Sequence, residues 1–170
     1  MSETLKLIKS DLKRKKQIFL DDGADISMVR IFLTDGTSAN ILYRLAYRCA
    51  QTKLLSPFAL ILSHINRIYN GCVIGVNARF DEGFVIMHPI GVVVNSKVVG
   101  GKNITLESGV VIGDEKGKSP ILSDNIFFGA GAKAFGGVTI GSNVKIGANA
   151  VVVKEIPSNT TALGIPAKTI

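Results

Sequence analysis

Histidine is scarce in this sequence: His64 and His88 are its two copies. His88 stands in Ile86-Met87-His88-Pro89-Ile90-Gly91. An imidazole with an ordinary pKa of about 6.5 suits general-base work on a hydroxyl, and a surface histidine with ordinary hydrogen bonds fits the same residues. His64 lies in an apolar helical stretch and is expected to be a packing residue. Cys49 and Cys72 have neither metal-ligand spacing nor a disulfide framework, so two reduced thiols and a cytoplasmic location are expected. The acids of Asp21-Asp22-Gly23-Ala24-Asp25 match no calcium loop and predict a turn and helix cap. No metal site is expected. The string from Gly129 to Gly137 holds four glycines, yet no helix is expected after it, so it is not a dinucleotide fingerprint.

The element that must carry these residues is announced by a repeat. From Ile74 an apolar residue returns every six positions: Ile74, Phe80, Ile86, Val92, Val98, Ile104 and Val110, then, after a miss at Lys116, Leu122, Phe128, Ala134, Ile140, Ile146 and Val152. Thirteen of fourteen positions fit one phase, where a 46% hydrophobic content gives about six or seven by chance. Period six matches neither a helix nor ordinary hairpins. It predicts a triangular solenoid in which each hexad is a short strand plus a corner, and three hexads make one coil. Gly141-Ser142-Asn143 and Gly147-Ala148-Asn149 supply residues that tolerate a positive φ at the corners. The registered stretch makes about four and a half coils, a prism on the order of 20–25 Å tall. So slim a prism needs partner chains over its faces, and oligomerisation is expected. The polar missed hexad predicts a loop from Asp114 to Pro120 leaving the prism.

Residues 1–70 predict helices instead: 3–20, 38–51 with a Ser cap, and 57–69 with Pro57 at its start, ended by Gly71. The prism is expected over 71–170. Net charge is +7, and residues 1–70 carry 11 Lys/Arg against 6 Asp/Glu. The basic group Lys13-Arg14-Lys15-Lys16 suits a solvated helix face, with weak attraction to an acidic membrane surface as a further expectation. Without interleaved aromatics or a recognition motif, no nucleic acid is expected. No signal peptide is expected, and the run from Leu54 to Ile65 is too short and broken to span a bilayer.

Five segments resemble successive blocks of the serine acetyltransferase family: Ile74-Gly75-Val76-Asn77-Ala78-Arg79, His88-Pro89-Ile90-Gly91-Val92-Val93, Gly109-Val110-Val111-Ile112-Gly113, Phe128-Gly129-Ala130-Gly131-Ala132, and the tail Ala162-Leu163-Gly164-Ile165-Pro166-Ala167-Lys168. Leu42-Tyr43-Arg44-Leu45-Ala46 echoes the family's last helix before the prism. The resemblance implies a mainly β fold, a left-handed parallel β-helix of hexapeptide repeats with a short N-terminal helical region. It also implies homotrimers with sites between subunits and acetyl transfer from acetyl-CoA to a hydroxyl, His88 taking the hydroxyl proton. The donor-binding positions it implies are Gly113, Gly129, Ala130, Gly131, Lys133 and Gly147, with Lys154 and Lys168 toward the adenosine phosphates.

Three family positions are altered. The aspartate that orients the histidine falls on Val73, the acid directly before it on Met87, and a second histidine on Ser119. Glu107, roughly one coil on, is the expected replacement partner for His88. The altered set resembles serine-acetyltransferase-like enzymes of surface polysaccharide synthesis, and the expected acceptor is therefore a saccharide hydroxyl. Serine O-acetylation and a non-catalytic trimeric scaffold are the alternatives. A carbonic-anhydrase-like prism is excluded, because that chemistry needs three histidines at zinc and only His88 lies in the repeat.

Overall fold

The computed structural model describes residues 3–170. Four helices lead: α1 (Glu3–Asp21), α2 (Met28–Phe32), α3 (Thr37–Ala50) and α4 (Ser56–Asn70). Short strands of two or three residues follow and stack into three sheets that wall a triangular prism. Every third strand pairs in parallel up to Val144–Ile146, which pairs in parallel with Thr161–Leu163, and Lys168–Thr169 then closes the last coil antiparallel to Thr161–Leu163. The expected β-helix with a helical lead is the observed fold.

The phase of the repeat needs correction. Regular coils pair residues 18 apart, as in Val93 with Val111 and Lys133 with Val151. The first coil pairs Val73 with Val93 and so holds 20, and the coil pairing Val111 with Lys133 holds 22. Two insertions, of two and four residues, together equal one hexad, which made an interrupted register look unbroken in the sequence. The inward column is therefore Ile74, Val94, Ile112, Ala134, Val152. Val92, Val98, Ile104 and Val110 are also buried, but as the companion inward positions two residues earlier. A strand turns the same face inward every second residue, so a slip of two leaves apolar residues in both columns.

The four-residue insertion does not stand away from the prism. Glu115 and Lys118 bridge antiparallel, Lys97 Nζ donates to Gly117 O at 3.1 Å, and Ser119 Oγ donates to Asn95 Oδ1 at 3.2 Å. It is a tight turn held against the preceding coil.

The helices close the open end of the first coil, where strand backbone would otherwise lack partners. Tyr43 packs edge-on to Phe80 and Phe84, which stack on each other with centroids 4.0 Å apart. Asn40 both donates to Phe84 O (2.7 Å) and accepts from Ile86 N (2.8 Å). Arg44, 1% exposed, binds Asp11 through Nε at 2.8 Å and Nη2 at 3.0 Å and donates to Phe80 O and Asp81 O. Asp11 also accepts from Phe84 N at 3.0 Å. Desolvation outweighs the guanidinium and raises the Asp11 carboxyl above its ordinary pKa.

One helix end and one helical side chain differ from expectation. The cap of α3 is Gly36, in the left-handed region at φ 75°, while Ser38 instead donates to Asn70. His64 is exposed and meets Arg67 at 2.8 Å, so it is not a packing residue within the chain. Gly71 ends α4 with φ 59°. Asp21 accepts from Gln17, and Asp25 pairs with Lys16 at 3.4 Å. No helix among the described residues is long and apolar enough to cross a membrane, and none of their acids, histidines or cysteines group as metal ligands.

Candidate active site

One edge of the prism repeats from coil to coil as Ser108-Gly109, Ala130-Gly131 and Ala148-Asn149. Gly131 N donates to Ser108 O at 2.8 Å and Asn149 N to Ala130 O at 2.9 Å. In the first coil this corner is longer. Met87 is level with Glu107, and Gly109 N donates to Ile90 O at 2.9 Å. His88 and Pro89 are thus the two inserted residues. Pro89 turns back and is buried, while the His88 side chain stands out of the ladder at 58% exposure.

A second element reaches that bulge. Asp35, in the link between α2 and α3, places Oδ2 3.6 Å from His88 Nδ1. The link itself is anchored. Lys15, 3% exposed on α1, donates to Asp35 O, to Thr37 Oγ1 at 3.2 Å and to Ile86 O at 3.2 Å. Gly36 lies so close to the first coil that a Cβ would collide with Ile86 O and stand 3.0 Å from Met87 O. Burial lowers the Lys15 ammonium pKa to about 8, although Asp35 and Glu107 oppose the shift. Asp35 was missed in the sequence because its contact to His88 is long-range. The Asp-Gly pair opening a helix was the available local signal.

Glu107 stacks one coil beyond Met87 and lines a groove of about 630 Å³ between α1 and the sheet that holds Thr105, Phe127 and Lys145, shared with Arg14, Asp22 and Lys145. The carboxylate beside His88 in this chain is that of Asp35. Arg14 Nε is buried there without a hydrogen-bond partner among the described residues. Gly129 and Gly147 continue the column of Met87 and Glu107. A Cβ on Gly129 would lie 2.8 Å from Ala148 N, so these glycines also permit the coil spacing. Ala130 and Gly131 share the edge with His88, and Lys133 Nζ donates to Gly131 O at 2.8 Å. Gly113 lies on the adjoining face, level with Phe135. Lys154 and Lys168 are exposed near the far end. The edge thus gathers His88, Ala130 and Gly131 beside the Glu107 column, with the two distal lysines apart from them.

No protein-family model matches the chain. A serine acetyltransferase of Helicobacter pylori is 38% identical over 144 residues, covering 82% of this chain and 84% of the relative. One from Synechococcus elongatus is 37% identical over 158 residues, covering 90% of this chain. This chain spans 64% of that relative's length. The crystal structure of Neisseria gonorrhoeae serine acetyltransferase in complex with serine superposes with a TM-score of 0.88 at 30% identity, over 99% of this chain and 69% of that one. These relatives correct the saccharide acceptor expected from Val73, Met87 and Ser119: similarity extends through helices and prism to proteins named for serine. The three altered positions misled because they were weighed alone, against a similarity that runs through the helices and the prism.

Proposed function

The chain belongs to the serine acetyltransferase family, and from that premise we propose that it transfers the acetyl group of acetyl-CoA to the hydroxyl of L-serine. The observation that carries this reading is the exposed His88 beside a groove presenting both charge signs: Arg14 and Lys145 against Asp22 and Glu107. Serine carries an ammonium and a carboxylate. With Met87 in place of an acid, Glu107 and Asp22 receive the ammonium, and the guanidinium of Arg14 receives the carboxylate.

With Nδ1 toward Asp35, His88 Nε2 is the free base. It takes the proton of the serine hydroxyl as that oxygen attacks the thioester carbonyl. Backbone N–H groups at the edge stabilise the oxyanion, the C–S bond breaks, and the imidazolium returns its proton to the CoA sulfur. The small residues Gly109, Ala130, Gly131 and Ala148 leave the edge low enough for the extended arm of acetyl-CoA to lie against it. Gly113, Gly129, Lys133 and Gly147 flank that path, and Lys154 and Lys168 face the phosphates. Apolar residues point outward on the prism, among them Val93 (40% exposed), Val99 (44%) and Ile121 (54%), and support a homotrimer with sites between subunits. Two unpaired thiols, Cys49 and Cys72, suit a cytoplasmic protein.

Release of CoA from acetyl-CoA, followed by thiol detection, tests the reading. L-serine should support turnover, and His88→Ala should lower it about a hundredfold or more. Glu107→Gln should raise the KM for serine and leave that for acetyl-CoA unchanged. Absence of serine-dependent CoA release would overturn the proposal.

A further inference from the structure

If His88 is the base, its neutral form must keep the proton on Nδ1 and leave Nε2 bare. Histidine free in water prefers the opposite tautomer, so the chain needs an acceptor at Nδ1. The family position for that acceptor is Val73, which has no acceptor atom in its side chain. Within the prism the nearest acid in register is Glu107, but it sits one coil beyond Met87 and lines the groove. The carboxylate that does face Nδ1 comes from outside the prism: Asp35 Oδ2, at 3.6 Å.

We propose that Asp35 is the positioning residue for His88, taking over from the α2–α3 link the task that Val73 cannot perform. This rests on the reading of His88 as the general base. Three features make the contact a built one. Lys15 fixes the Asp35 carbonyl to Thr37 and to Ile86 O. Gly36 lets the link sit directly on the backbone of Ile86 and Met87, the two residues before His88. The two-residue bulge then carries the imidazole out to the height of the link. Both the acid and the base are thus tied to the same short stretch of backbone, and only side-chain rotation separates 3.6 Å from a hydrogen bond. Catalytic contacts of this kind are commonly long before substrate binds and tighten in the complex. The charged groups around the pair are Lys15 from α1 and Glu107 from the next coil, and Met87 and Pro89 beside His88 carry none.

The Asp35 side chain is 79% exposed and its recorded partner is His88, so Asp35→Ala is expected to fold and melt as the parent does. Turnover with serine and acetyl-CoA should fall about tenfold or more, with the KM for acetyl-CoA within about twofold, and Asp35→Glu should recover part of the loss. The decisive readout is the 15N spectrum of His88 in the neutral imidazole: a protonated Nδ1 in the parent and in Asp35→Glu, and a shift toward protonated Nε2 in Asp35→Ala. A purely structural role would not move that signal. If Asp35→Ala keeps parental turnover and the parental tautomer while His88→Ala is inactive, this inference falls and the proposed function stands. If His88→Ala retains turnover, both fall.

Discussion

Lys15 is a buried cation whose cost has a definite pH signature. Its folded pKa is about 8 against an ordinary 10.5, so between those values the unfolded chain holds more proton than the folded one. Stability from this group is therefore lowest below pH 8, rises as pH climbs toward 10.5, and is level above it. Relative to Lys15→Met, the parent should gain about 2 kcal/mol between pH 7 and pH 10 in urea unfolding. The paired difference cancels the opposing titration of Tyr43 and Cys72, whose pKa values burial raises. A flat difference would mean that Lys15 is not buried as a charge. At this scale His88 was legible because it is a lone histidine inside a repeat, and neighbours in sequence define its setting. Asp35 and Lys15 were not, since their roles exist only once α1 and the α2–α3 link have docked on the coil.

Among the elements, one corner of the prism carries a ladder of side-chain amides. Asn103 donates to Asn125, Asn125 to Asn143, and Asn143 to Asn159, at 2.8, 3.0 and 2.8 Å. All four have positive φ, from 56° to 61°. Asn143 thus serves twice: it tolerates the left-handed corner, and it links two coils. Asn143→Ala loses both services and should cost about 2 kcal/mol, while Asn143→Gly restores the backbone freedom and should cost about 1. Equal losses in chemical denaturation would show that the ladder, and not the backbone, sets the cost. The hexad count found this solenoid, since a coil's residues are contiguous, and it placed Asn143 and Asn149 at corners but not the other three members of the ladder. It marked the four-residue insertion through the missed hexad at Lys116 but not the one at His88 and Pro89, because shifts of two and four residues together return the count to its starting phase. The spacing of eight between the paired-column residues Ile86 and Val94, next to Pro89 and Gly91, was the trace that the shorter insertion left.

For the whole molecule, the two ends are treated differently and the sides are left apolar. The helices seal one end with the Asp11, Asn40 and Arg44 network, and the antiparallel closure of Thr161–Leu163 with Lys168–Thr169 finishes the other. The walls keep Val93, Val99 and Ile121 outward. Covering such walls with further copies of the chain is the economical solution, so light scattering should give three times the 18.1 kDa chain mass. A monomer at all accessible concentrations would contradict it. The expectation of partner chains came from the slimness of the predicted prism. The sealing of its end was not, because it depends on buried polar pairs that no periodicity announces.

Along the edge of Ser108-Gly109, Ala130-Gly131 and Ala148-Asn149 the molecule has translational symmetry, with one coil as its unit step. An extended ligand on such a track meets the same backbone at every step and has no reason to halt at any one of them. His88 and Pro89 break the symmetry once, in the coil that the helices cover. The bulge therefore ends the track as well as carrying His88: it sets the single position at which a sliding chain must stop, and that stop coincides with the imidazole.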